Sequence, residues 1–273
     1  MPRPEPRAAK PAGTAVRPPD DKAAAIGAPK NEAVEWIKSL AVAVLLFVVI
    51  RTFLFQAFSI PSESMEKTLL VGDYLFASNV VFGPHIPFTQ HHLPGLRDPA
   101  HGDIVVFRPD YNQPEMDVVK RLMGQPGDTL QMINQQMYRN GKKLAEPYAT
   151  YDESPDGPIP YVGQPGVGIP PEVKPDRYGY HNHVPALAAA VDKANYHPTR
   201  DNWGPIVVPA GYYWLMGDNR NESLDSRYMG FIPREQIRGK PMFIYYSWDS
   251  TADSPFPAFV TAARWGRIGT VLH

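Results

Sequence analysis

Two serines stand two residues apart, Ser62 and Ser64, in the run 59–70, Ser-Ile-Pro-Ser-Glu-Ser-Met-Glu-Lys-Thr-Leu-Leu. The run directly follows a long apolar segment. A serine hydroxyl is a poor nucleophile until a base takes its proton, so the chemistry turns on which basic side chain serves Ser64. Lys67 is nearest. Ser64-Met65-Glu66-Lys67 matches Ser-x-x-Lys, which on a helix puts both side chains on one face. Penicillin-recognising enzymes use that arrangement together with a Lys-Thr-Gly-like strand, and this sequence has no such strand.

Lys120 offers a physical reason to be a base. In 116–123, period-two alternation puts Met116, Val118, Lys120 and Leu122 on one face of a strand. An amine between Val118 and Leu122 is desolvated, which lowers its pKa from the ordinary value of about 10.4. A neutral lysine then acts as a general base. The same strand, placed at a sheet edge, would carry Lys120 as a guard against aggregation. The strand alone does not choose between the two.

A third polar stretch, 217–227, reads Gly-Asp-Asn-Arg-Asn-Glu-Ser-Leu-Asp-Ser-Arg and follows the apolar strand 212–216. It holds one hydroxyl, Ser223, among Asp218, Arg220, Asp225 and Arg227. A hydrogen-bonded turn of paired charges accounts for most of these residues. Its acidic residues do not alternate as a calcium loop requires.

The elements that must position these groups read as strands and turns. Residues 73–81, 103–108, 117–123, 129–134, 212–216 and 242–248 are strand-like. Asn140-Gly141 is a type I′ hairpin signal closing 137–139 onto 142–144. Helical periodicity is scarce; 185–193, with proline in its first turn, is the one short candidate. Residues 145–208, dense in Pro and Gly, are too long for an ordinary connection and read as an excursion from the β core. The loop 83–99 carries His85, His91 and His92, with His101 soon after, but no carboxylate or cysteine at a ligand spacing. It reads as a solvated loop.

Composition narrows the setting. The 273 residues carry a net charge of −1, which gives no argument for nucleic acid as a partner. With no cysteine, thiol catalysis, disulfides and Fe–S clusters are excluded. The 31 prolines favour irregular connections over a helical bundle. Residues 1–35 read as a disordered tail. A span over 36–58 is long enough to cross a bilayer, which takes roughly 20 helical residues, with Arg51 near its far end where its side chain can reach headgroups. Before the span lie Arg3, Arg7, Lys10, Arg17, Lys22 and Lys30, with Lys38 at its start, so the positive-inside rule puts the N-terminus in the cytoplasm. Near the C-terminus, Trp265 with Arg264 and Arg267 suits either headgroup contact or core packing.

Taken in order, these stretches resemble the bacterial type I signal peptidases. Pro61-Ser62-Glu63-Ser64-Met65 is similar to that family's nucleophile box, and 102–107 to its strand Gly-Asp-Ile-Val-Val-Phe. Val118-Val119-Lys120-Arg121 with 124–128, Gly-Gln-Pro-Gly-Asp, is similar to its lysine box, and 217–227 to its Gly-Asp-Asn-Arg loop. Any one box is weak; four in order after an anchor are specific. The family often has proline where this chain has Lys67, and some relatives have a second span.

The resemblance implies Ser64 as nucleophile and Lys120 as general base. It puts the Ser62 hydroxyl and the Ser64 N–H in the oxyanion hole, and has Ser223 orient Lys120. Asp218, Arg220, Asp225 and Arg227 are implied as structural support, and Met65 as a wall of the substrate groove. It implies no cofactor or metal. The expected fold is mainly β: an antiparallel, barrel-like catalytic domain over 59–273 with a smaller insertion at about 145–208, preceded by one N-terminal transmembrane helix. The expected function is removal of signal peptides from exported preproteins with small residues before the cleavage site. The setting is the bacterial inner membrane, with the catalytic domain on the outer face, the bilayer as a partner and an export translocon as a further one. Two rivals are a self-cleaving Ser/Lys repressor of the LexA type, which needs a DNA-binding motif and a cleavable segment of its own, and a non-enzymatic membrane-tethered β module.

Overall fold

The computed structural model describes residues 32–86, 89, 91–109, 117–152, 187–192, 196, 198–249, 251–252 and 258–273. The tail 1–31, Met116 and most of the 145–208 excursion lie outside the described residues. The chain divides into two compact units, 1–45 and 46–273.

Helix α1, Glu32–Val49, buries none of its residues. Aliphatic side chains cover all its faces, as suits a helix solvated by lipid. With the π-helical turn Ile50–Leu54 it makes a 23-residue apolar helix, long enough to cross a membrane. The helix stops earlier than the 36–58 span. At Phe55 the backbone turns extended, φ −137°, and β1, Phe55–Ser59, pairs antiparallel with β2, Asp73–Ser78. The β domain therefore starts inside the apolar run. Phe55-Gln56-Ala57-Phe58-Ser59 does not alternate apolar and polar residues, so this strand showed no period of two.

The larger sheet has seven strands in the order β1-β2-β11-β3-β4-β9-β10, every pairing antiparallel. Its further members are β3 (Ile104–Phe107), β4 (Val118–Gly124), β9 (Tyr212–Met216), β10 (Ile232–Pro233) and β11 (Ile237–Ser247). β11 is long enough to pair with β2 through its second half and with β3 through its start, with register shifts between. Such bulges sharpen the local twist and help a sheet curl. β4 lies between β3 and β9, so Lys120 is on a central strand and the edge-guard reading fails.

The smaller sheet, order β7-β6-β5-β8, comprises Thr129–Ile133 (β5), Gln136–Arg139 (β6), Lys142–Lys143 (β7) and Trp203–Val207 (β8). It starts at Thr129, ahead of the expected boundary at 145, because β8 returns to pair with β5. The hairpin turn is as expected: Asn140 and Gly141 both take positive φ, 53° and 75°. The described part of 185–193 is not helical. Leu187 instead bridges to Ile206, and its side chain is buried beside Trp203 and Ile206. The mainly antiparallel β reading holds.

Two apolar clusters flank β3 and β4. One gathers Ile60, Met65, Leu69, Leu75, Ile104 and Val119, among others; the second gathers Val105, Phe107, Leu122 and Leu215, with Val118 packed against it. Together they keep water from most of β4, of which only Val118 is not fully buried.

Candidate active site

Ser64 lies in a single 3-10 turn, Glu63–Met65, between β1 and β2. The chain enters that turn through Ser62 in extended conformation, φ −135°, and Met65, 1% exposed, anchors it in the core. Burial this complete sets the Met65 side chain in the apolar cluster with Ile60, Leu69 and Leu75 rather than on an open groove wall. The Asn219 N–H donates to the Ser64 carbonyl at 3.1 Å, tying the turn to the loop after β9.

Lys120 reaches this turn from β4. Its Nζ is 2.6 Å from Ser64 Oγ, across 56 residues of sequence, and the residue is 2% exposed. Across the ladder it faces Val105, and its same-face neighbours Val118 and Leu122 pack with that valine. Desolvation lowers its pKa to about 8, even though the Asp225 and Asp218 carboxylates pull the other way; Arg227 adds a further push down. Burial outweighs attraction here because the two carboxylates are already paired.

That pairing departs from the expectation of a loop closed on itself. Asp225 does pair within the loop: it holds Arg227 by two contacts of 2.8 and 2.9 Å and accepts from the Gly217 N–H. Asp218 instead binds Arg121, the residue after Lys120, at 2.7 and 2.8 Å, and accepts from the Thr68 hydroxyl at 2.6 Å. Arg220 pairs with Glu146 and donates to the Tyr151 hydroxyl. The Arg121 guanidinium also lies 3.9 Å from the Tyr148 ring centroid. Arg121, Thr68, Glu146, Tyr148 and Tyr151 thus belong to the site's support and were not singled out by sequence. Arg121 alone had a signal, its place next to Lys120; the others contact the site only through tertiary folding.

Ser62 Oγ lies 3.4 Å from Ser64 Oγ. Ser223 is buried near the dyad, but its Oγ has no hydrogen-bond partner, so the expected bond to Lys120 is not formed. Its neighbour is Gly217, where an added Cβ would meet Ser223 Oγ at 2.2 Å and the Ser64 carbonyl oxygen at 2.5 Å. Lys67 is exposed and takes φ 72°. A proline ring, fixed near −65°, cannot adopt that conformation, so this turn is made differently from one with proline. No hydrogen bond joins Lys67 to Ser64.

Of the histidines, His92 bonds the Gly83 and Glu235 carbonyls through its two ring nitrogens, and His101 bonds the Met123 carbonyl. These contacts hold loops together. Trp265 is largely exposed, while Arg264 donates to the Val71 carbonyl and Arg267 pairs with Asp73.

A buried serine within hydrogen-bond reach of a desolvated lysine, on an antiparallel β scaffold behind an apolar helix, defines a serine peptidase site of the Ser/Lys kind. The family model described as "Signal peptidase, peptidase S26" matches residues 33–248. Signal peptidase I of Pseudomonas aeruginosa is 31% identical over 251 residues, 88% of this chain and 79% of that protein. Signal peptidase I of Bacillus licheniformis is 31% identical over 81% of this chain and 92% of its own length. That of Aquifex aeolicus is 33% identical over 77% and 83%. This chain belongs to the signal peptidase family of S26 peptidases. It is a membrane-anchored hydrolase that removes signal peptides from preproteins.

Proposed function

We propose that Ser64 and Lys120 are the catalytic dyad of this peptidase, and the 2.6 Å contact between Lys120 Nζ and Ser64 Oγ carries the proposal. Neutral Lys120 takes the Ser64 proton as Oγ attacks the scissile carbonyl. The oxyanion that forms is held by the Ser64 N–H and the Ser62 hydroxyl. As the C–N bond breaks, the Lys120 ammonium returns the proton to the leaving amine. The amine product leaves; neutral Lys120 then takes a proton from a water whose oxygen attacks the ester carbonyl, and as the C–Oγ bond breaks the Lys120 ammonium returns that proton to Ser64 Oγ, releasing the acyl product. Asp225–Arg227 and Asp218–Arg121 act as positioning pairs: they fix the loop and strand that bring the dyad together. Ser223, whose buried hydroxyl is unpartnered beside Gly217, would orient the lysine.

The substrate would lie extended along a strand edge, with backbone hydrogen bonds for affinity and shallow pockets that admit small residues before the cut. The chain would sit in a bacterial inner membrane with its N-terminus in the cytoplasm and its β domain outside, close to an export translocon. The six basic residues before the span, with Lys38 at its start, support that orientation. Sharing one membrane with the preprotein raises their effective concentration.

Cleavage of a preprotein by the detergent-solubilised full chain tests the dyad. Ser64→Ala and Lys120→Ala should be inactive and Lys67→Ala active. An active Lys120→Ala beside an inactive Lys67→Ala would reject the assignment.

A further inference from the structure

Away from the dyad, where the chain leaves the apolar helix, a polar cavity of about 280 Å³ is lined by Arg51, Asn79, His85, Arg108, Asp117 and Arg238, among others. Three guanidinium groups there face one described carboxylate. Arg108 binds Asp117 through two contacts of 2.8 and 3.0 Å, which occupies that carboxylate. Arg51 and Arg238 have no ion pair among the described residues, and the buried Nε of Arg238 has no acceptor. Burial and the neighbouring Arg108 both pull the Arg238 pKa below its ordinary value, and His85 is pushed down to about 4 by burial and by Arg238. His85 is therefore neutral at pH 7 and adds no positive charge. Gathering cations that repel one another costs stability unless an anion offsets it.

Arg51 also borders a second cavity, about 600 Å³, lined by Phe47, Ile50, Phe55, Phe76 and Phe243. Phe55 and Phe243 are exposed aromatic surface. A molecule that satisfies both places has an anionic head and an apolar tail, at the level where the helix meets headgroups. A phosphodiester suits guanidinium forks because each oxygen accepts a charge-assisted bond.

We infer that Arg51, Arg108 and Arg238 bind the headgroup phosphate of one anionic phospholipid, whose acyl chain lies along Phe47, Ile50, Phe55 and Phe243. The lipid supplies the acceptor that Arg238 Nε lacks and screens Arg238 from Arg108. The site is independent of the dyad and concerns what holds the β domain to the bilayer.

Native mass spectrometry of the full chain in detergent, titrated with phosphatidylglycerol or phosphatidylcholine, tests this. One phosphatidylglycerol should be retained per chain, and phosphatidylcholine should not. Affinity should fall about fivefold in Arg51→Gln and again in Arg238→Gln, following the attraction of a single basic residue to anionic lipid. Arg238→Lys should keep most of the binding. If Arg238→Gln fails to fold, Arg51→Gln, altered at an exposed side chain, carries the test. Equal loss in Lys142→Gln would reveal general charge attraction and overturn the site, as would unchanged binding in both arginine variants. Displacement of the lipid by equimolar inorganic phosphate would make this a free-phosphate site and overturn the lipid. Cleavage of a soluble peptide should be unchanged in Arg51→Gln, so a lost dyad and a lost lipid site are distinguishable.

Discussion

At the scale of single residues, one lysine explains both an activity and a cost. Buried Lys120 titrates near pH 8 rather than near its ordinary ~10.4. With Lys120 as the proposed base, its neutral amine is the active form, so kcat/KM should rise with pH through about 8 and level off above it. A limb near pH ~10 would mean that the lysine is solvated. The stability sign runs the other way. Below pH 8 the lysine is protonated in folded and unfolded chains alike, but only the folded one buries that charge. The penalty is fully present there and fades as pH climbs toward ~10.4. Lys120→Met should therefore be inactive yet more stable at pH 7, by about 1–3 kcal/mol in a urea titration, with the gain shrinking at pH 10. Ser62→Ala should keep residual cleavage, lowered about 10²–10³-fold in kcat, the usual effect of losing one oxyanion donor.

At the scale of elements, the dyad is held by what surrounds the strand and the turn. Gly217→Ala forces a Cβ against the Ser64 carbonyl oxygen, backbone that cannot rotate away. It should cost about 1–3 kcal/mol of stability by denaturant unfolding, and displace the nucleophile turn enough that kcat falls in the surviving fold. Asp218→Asn leaves Arg121 buried without the carboxylate it pairs with, so it should destabilise by about 3–5 kcal/mol. Much of this scale was legible in the sequence. The strand 212–216 and the Asn140-Gly141 turn follow from alternation and turn chemistry, and Lys120 stood out as a cation flanked by Val118 and Leu122. Other parts were not legible. β1, Phe-Gln-Ala-Phe-Ser, lacks apolar–polar alternation, and β8, in Trp-Gly-Pro-Ile-Val, carries two strand breakers. The Arg220–Glu146 pair spans 74 residues that no local pattern links.

At the scale of the whole molecule, the strand order separates the catalytic groups before it joins them. Ser64 follows β1 and precedes β2, while Lys120 is on β4, and β11 lies between β2 and β3 in the sheet. β1 closes one sheet edge by pairing with β2 over five residues. A chain beginning at Ile60 should thus melt at least ~5 °C below one beginning at Leu46, since each kcal/mol is worth roughly 2–4 °C in a domain this large. The place of β11 has a consequence in time as well. A chain delivered N-terminus first contains both serines and the lysine long before residues 237–247 exist to bridge the two halves of the sheet. Until then Ser64 and Lys120 belong to separate, unfinished pieces. A nascent chain is therefore silent as a peptidase, and becomes competent only when its last strand arrives.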